Sequence, residues 1–74
     1  MEKLSVVLVD DHQVVLHGLR AILDPDPNFT LVGEVSTGKE ALSIVKSKNP
    51  DIVVLDFKLP DMTGSELCQR IVEL

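Results

Sequence analysis

The chain of 74 residues has no tryptophan, no tyrosine and only two phenylalanines, Phe29 and Phe57. Proteins that grip single-stranded nucleic acid stack its bases on aromatic side chains, so a platform of that kind is excluded. Positive charge is short as well: seven Lys and Arg stand against twelve Asp and Glu, a formal net charge of −5. Direct duplex binding draws on a basic surface and is disfavoured by this balance. Cysteine is nearly missing. Cys68 alone cannot close an intramolecular disulfide, which suits a reducing compartment. No apolar run approaches the ~18 residues of a membrane span. Met1-Glu2-Lys3 leads straight into an apolar strand with no signal-peptide pattern. A cytoplasmic location without membrane contact is therefore expected.

What the sequence does have is hydrophobic residues, 45% of the total, enough for one small packed domain. Two apolar runs stand out, and both stop at carboxylates. Leu4-Ser5-Val6-Val7-Leu8-Val9 ends in Asp10-Asp11, and Ile52-Val53-Val54-Leu55 ends in Asp56. Short continuous runs rich in β-branched residues read as strands of a parallel sheet buried on both faces. Between and after them lie helical patterns. Val15, Leu19 and Ile22, with Leu16 and Leu23 beside them, form the stripe of a first helix beginning at Gln13. Asp10 or Asp11 is placed to cap it, and the cluster Asp24-Pro25-Asp26-Pro27-Asn28 stops it.

Phe29 to Val35 mixes Thr30, Gly33 and Glu34 with apolar residues and suits an edge strand. Thr37 and Glu40 have capping-box spacing at the start of a second helix, whose stripe is Ala41, Ile44 and Val45. Pro50 forbids its continuation. Thr63 and Glu66 repeat the capping spacing before a third helix, with Leu67, Ile71 and Leu74 on one stripe and Cys68 and Val72 next to it. Cys68 reads as a core residue rather than a nucleophile. The loop Phe57 to Met62 behind Asp56 reads as flexible.

Alternating strands and helices mean right-handed crossovers and a parallel sheet. The edge-like second strand and the buried-looking third give the order 2-1-3, with the chain reversing direction between strands one and three. Asp10-Asp11 and Asp56 then converge at one end of neighbouring strands. Like charges so close must take up protons or a cation. An all-oxygen site with few ligands suits Mg²⁺, which shares its shell with phosphate oxygens. An Asp can also be the nucleophile that accepts a phosphoryl group. Asp56 is the candidate because it stands alone at its strand end. Asp11 would bind metal directly, Asp10 directly or through water, and the backbone carbonyl of Lys58 would add another ligand. His12 is expected to be a helix-start histidine rather than a metal ligand, and His17 a helix surface residue.

Val7-Leu8-Val9-Asp10-Asp11-His12, Val53-Val54-Leu55-Asp56 and Lys58-Leu59-Pro60-Asp61-Met62-Thr63-Gly64 resemble the receiver domain of two-component response regulators. His17-Gly18-Leu19-Arg20, Val32-Gly33-Glu34 and Gly38-Lys39-Glu40-Ala41 are similar to the NarL/FixJ (LuxR-type) branch of transcriptional regulators. The resemblance covers essentially the whole chain. It implies a flavodoxin-like (CheY-like) α/β fold, limited here to three β-α units over residues 1–74. It implies transfer of a phosphoryl group from a sensor histidine kinase to Asp56, with Mg²⁺ held by Asp11, Asp56 and the Lys58 carbonyl, assisted by Asp10. Two further strand–helix units of the family, which carry its switch Ser/Thr and its phosphate-binding Lys, have no counterpart in these residues, and Lys58 lies in a different loop. DNA binding would reside in a C-terminal domain that is likewise absent. With the third strand left as an apolar edge, self-association is expected, and a non-catalytic interaction or dimerisation module is the alternative function. A phosphohydrolase with an aspartyl nucleophile would carry a second Asp two positions after Asp56, where this chain has Lys58.

Overall fold

The sheet is built outward from β1, Leu4–Val9, whose side chains from Val6 to Val9 are all buried. The structure, a computed structural model, describes residues 3–74. The Met1-Glu2 start, from which the missing signal-peptide pattern is read, lies outside them. The chain then runs through α1 (Gln13–Leu23), β2 (Phe29–Val35), α2 (Gly38–Lys48), β3 (Ile52–Leu55) and α3 (Gly64–Val72). The strands are parallel and ordered β2-β1-β3, so the expected topology is observed. The β1–β3 register pairs Val9 with Leu55, which leaves Asp10 and Asp56 side by side just beyond the ladder. Pairing with β2 slips by one residue between Val6 and Val7, a bulge at Val32.

Alternation along β1 divides the core in two. Val7 and Val9 face α2 and α3, packing with Ala41, Leu59 and Leu67. Val6 and Leu8 face α1, packing with Leu16 and, at the margin, Leu19, Leu23 and Ile52. The stripe of α1 is therefore rotated by one position from the sequence reading. Leu16 is its buried residue, while Val15 and Ile22 are exposed. The reason is coverage: α1 is the single helix on that side and lies toward β2, so its other flank has nothing to pack on.

The helix starts differ in how they are tied. In α2, Thr37 Oγ1 accepts the Glu40 amide, and the Glu40 carboxylate reaches back to Ser36 N and Oγ, one residue earlier than the simple box predicts. In α3, Thr63 accepts the Glu66 amide, but Glu66 turns to Arg70 instead of closing the box. The N-cap of α1 is His12, which makes no side-chain cap. Asp10 instead accepts the His12 amide at 2.9 Å, so neither aspartate caps the helix as expected. The α1 helix is held to the sheet side by Leu16 and by an ion pair from Arg20 to Glu34 of β2 at 2.7 Å. At the other end of α2, Asn49 takes the left-handed conformation (φ 46°) and ends the helix before Pro50.

Two expectations about the third unit need correction. Cys68 is exposed, because α3 turns Leu67 and Ile71 to the core and leaves Cys68 and Val72 on its outer flank. The loop after Asp56 is not loose. Leu59 is buried, Lys58 and Thr63 form an isolated antiparallel bridge, and Asp61 accepts the amides of Gly38 and Lys39 at 2.8 and 2.9 Å. A carboxylate from this loop thus satisfies two free amides at the start of α2.

Candidate metal centre and phosphoacceptor site

Two backbone hydrogen bonds fix the site. Asp10 N donates to Val35 O at 3.1 Å, and Asp56 N donates to Val9 O at 3.0 Å. Each aspartate is thus held in line with its strand, and both project at the carboxyl end of the sheet, where the chain changes direction between β1 and β3. Asp10, Asp11, His12 and Asp56 each offer a ligand atom, and these atoms lie within 4.8 Å of one another. The three expected carboxylates are therefore brought together. Asp10 is the buried one; Asp56 is half-buried, and Asp11 is exposed.

The donor set fits a hard divalent cation. The span of 4.8 Å is somewhat wider than the ~4.2 Å between opposite ligands of an octahedron with ~2.1 Å bonds, so Mg²⁺ would draw the carboxylate oxygens slightly together. The bridge between Lys58 and Thr63 is made by its flanking groups, Leu59 N to Met62 O and Gly64 N to Phe57 O. It leaves the Lys58 carbonyl uncommitted. On Asp56, Oδ1 accepts the Phe57 amide at 2.8 Å, which sets the carboxylate plane and leaves Oδ2 facing His12.

His12 was legible as a helix-start residue, and it is one, but its ring lies on the acidic cluster. Its Nδ1 is 2.9 Å from Asp10, 3.1 Å from Asp11 and 3.8 Å from Asp56. The hydrogen bond to Asp10, then the charge of Asp11, raise the imidazole pKa above its ordinary 6.5. A protonated ring here offsets part of the repulsion among the carboxylates. The Asp-Asp-His adjacency was the available signal. The clasp made by Asp61 left no sequence signal, since its partners are more than twenty residues away. His17 is exposed on α1, as expected.

An open parallel α/β sheet with a cluster of carboxylates at its switch point places the chain among the doubly wound folds that bind ligands beyond the carboxyl ends of their strands. Among these folds, residues 6–74 match the family described as response regulator receiver domain, and the chain belongs to that family. It is 46% identical over 68 residues to the DNA-binding transcriptional activator DevR/DosR of Mycobacterium tuberculosis, covering 92% of this chain and 31% of that protein. The signal receiver domain of the response regulator NarL from Mycobacterium tuberculosis superposes with a TM-score of 0.89 at 34% identity, over all of this chain and 61% of that one. The response regulator domain of Thermotoga maritima CheB gives a TM-score of 0.93 at 28% identity, over 97% of this chain and 54% of that one. The chain thus spans about a third of the curated relative and little more than half of the solved receiver domains. It is a receiver sequence of the NarL type, and receivers of that type are signalling modules, not enzymes. Among the described residues no helix is long and apolar enough to cross a membrane.

Proposed function

We propose that this chain is the phosphoacceptor part of a two-component response regulator, in which Asp56 receives a phosphoryl group from the phosphohistidine of a sensor histidine kinase. In this reading residues 1–74 are part of one receiver unit in a cytoplasmic regulator of transcription, and contact with DNA belongs to a domain outside them. The observation that carries it is the convergence of Asp10, Asp11 and Asp56 at the end of two adjacent parallel strands.

Asp11, Asp56 and the Lys58 carbonyl would hold Mg²⁺, with Asp10 assisting. Bound there, the ion would neutralise charge on the incoming phosphoryl oxygens. The chain's own contribution is position. Phe57 N holds Asp56 Oδ1, so the carboxylate cannot swing, and a carboxylate oxygen forms the new O–P bond as the N–P bond of the donor breaks. Asp10, buried and hydrogen-bonded to His12, keeps the floor of the pocket negative.

Cation binding is tested by following backbone amide resonances during addition of Mg²⁺. Saturable shifts at Asp10, Asp11, Asp56 and Lys58, lost in Asp11→Ala, are expected. Phosphoryl transfer is tested by incubation with acetyl phosphate and Mg²⁺, read as a phosphoryl mass gain that Asp56→Asn abolishes. A modified residue other than Asp56, or Mg²⁺ shifts unaffected by Asp11→Ala, would refute the reading.

A further inference from the structure

The loop that carries the Lys58 carbonyl is a small hairpin. Gly64 N donates to Phe57 O and Leu59 N to Met62 O, with Lys58 and Thr63 facing each other between these bonds. Pro60 and Asp61 form its tip. Of the residues from Phe57 to Asp61 only Leu59 is buried, so the hairpin itself gives the tip little to rest on.

The tip is tied down from another element. Oδ1 of Asp61 accepts Gly38 N at 2.8 Å and Oδ2 accepts Lys39 N at 2.9 Å. Both oxygens are engaged by consecutive amides, which fixes the plane of the carboxylate as well as its place. Met62 packs so closely on Gly38 that a Cβ there would collide with its thioether. Gly38 is in turn tied to the acidic pocket from the other side. Val35 O accepts Asp10 N at 3.1 Å, and only Ser36 and Thr37 separate Val35 from Gly38. A closed circuit therefore surrounds the pocket. It runs from Asp10 to Val35, along the chain to Gly38, and across the Asp61 carboxylate to the hairpin. It returns through Lys58 and Phe57 to Asp56, whose amide bonds Val9 O at 3.0 Å, beside Asp10. Two of its three non-covalent links are backbone bonds that continue the sheet. The third is made by a side chain.

We propose, resting on the Mg²⁺ reading given above, that Asp61 is a positioning residue for the cation site: its two-oxygen clasp on Gly38 and Lys39 holds the hairpin so that the Lys58 carbonyl is presented to the ion. Asp61 does not touch the ion. The ligand group is Asp10, Asp11, His12 and Asp56, and both Asp61 oxygens are already taken. With the clasp open, Leu59 and the Lys58–Thr63 bridge alone would steady the tip, and the carbonyl would have to be ordered as the ion binds. Groups that orient a metal ligand from one shell out change affinity by about 10–100-fold. One carbonyl, which a water can replace, belongs at the lower end, about tenfold. By linkage, the bound ion must tighten the clasp by the same factor.

The test is a Mg²⁺ titration followed at backbone amides. The Leu59 amide shares a peptide group with the Lys58 carbonyl and reports its coordination. In Asp61→Ala the Kd for Mg²⁺ should rise about tenfold, and the Leu59 shift at saturation should shrink relative to those of Asp10 and Asp11. Asp61→Asn keeps one acceptor oxygen and should fall between. Phe29→Leu thins the core at the opposite, amino end of the sheet and serves as the control for lowered stability. It should keep both the Kd and the Leu59 shift. In the parent chain, saturating Mg²⁺ should slow hydrogen exchange at Gly38 and Lys39 about tenfold, and should not do so in Asp11→Ala. This arm decides the matter if Asp61→Ala fails to fold. Parent-like affinity with a full Leu59 shift in Asp61→Ala, equal weakening by Phe29→Leu, or exchange at Gly38 and Lys39 unmoved by Mg²⁺ that does shift Asp10 and Asp11, would each overturn the role of Asp61 and leave the metal reading standing. Absence of Mg²⁺ shifts in the parent chain would overturn both.

Discussion

Gly64→Ala should destabilise the fold, whereas Gly18→Ala should not. Gly64 opens α3 and lies directly on the end of β3. A Cβ built there falls 2.6 Å from the Asp56 carbonyl oxygen, 2.9 Å from Leu55 Cδ1 and 3.0 Å from Phe57 Cα. Two of these three neighbours are backbone and cannot rotate away. No glycine in the described residues has a positive φ, so the obstacle is space and not conformation. Comfortable carbon–oxygen contacts lie at ~3.3–3.6 Å, so the helix start must retreat by roughly 0.7–1 Å. That retreat pulls Gly64 N off Phe57 O, which it now bonds at 2.6 Å, and lifts the fully buried Leu67. The lost hydrogen bond is worth about 1 kcal/mol and the overpacking about 1–3 kcal/mol, together about 2–4 kcal/mol. For a domain of this size that lowers the melting temperature by at least about 8 °C. Gly18 is the control. Nothing lies within 4 Å of its Cβ position, and it sits inside α1, so alanine should stabilise by about 0.5–1 kcal/mol. With no tryptophan or tyrosine, far-ultraviolet circular dichroism in urea is the assay. Gly64→Ala within about 0.5 kcal/mol of the parent chain, the scatter of a neutral surface change, or a loss at Gly18 equal to that at Gly64, would refute the close-contact reasoning.

Thr37→Ala removes the hydroxyl that accepts the Glu40 amide and should cost about 1 kcal/mol, read from the same urea midpoints. The amides of Gly38, then Lys39, hold the Asp61 carboxyl below its ordinary 3.8. A lowered folded pKa gives stability that is present above 3.8 and lost as pH falls through the folded value. Asp61→Asn should therefore lose stability near neutrality and flatten the acid limb below 3.8; an unchanged acid limb would show that the clasp does not form. For His12 the sign is opposite. Its pKa is raised by Asp10 and then Asp11, so its contribution is full below 6.5 and fades as pH rises through the folded value. Proton resonances of the ring should titrate above 6.5 in the metal-free chain, and Asp10→Asn should move that midpoint down.

Much of this architecture is legible from residues alone. The strands Leu4–Val9, Phe29–Val35 and Ile52–Leu55 match their apolar runs because turn signals and Pro50 bound them closely. The convergence of Asp10, Asp11 and Asp56 follows from parallel crossover topology, which leaves strand ends little freedom. What escapes is decided by coverage and distant pairing. Periodicity finds a helical stripe in α1 but cannot say that Leu16, and not Val15, meets the sheet, because that depends on how many helices share the face. Cys68 beside an apolar stripe looks interior until Leu67 and Ile71 take the inward places. Pro60 and Asp61 look like an ordinary loop, and only the fold brings Asp61 to Gly38 and Lys39. His12 obeys its local signal as a helix start, yet its ring answers to charges on two strands.

The unequal fastening of the three helices has a consequence for how the molecule fails. α2 and α3 are each capped by a threonine, and Asp61 staples one to the loop feeding the other. α1 has one buried side chain and an uncapped start. Mild heating would therefore strip the chain from one side, with the lone helix swinging off like a shutter while the sheet and the paired helices keep their places. Asp11 and His12 sit on the shutter's hinge, and Asp56 on the fixed frame, so the pocket would lose its shape well before the bulk of the protein melts.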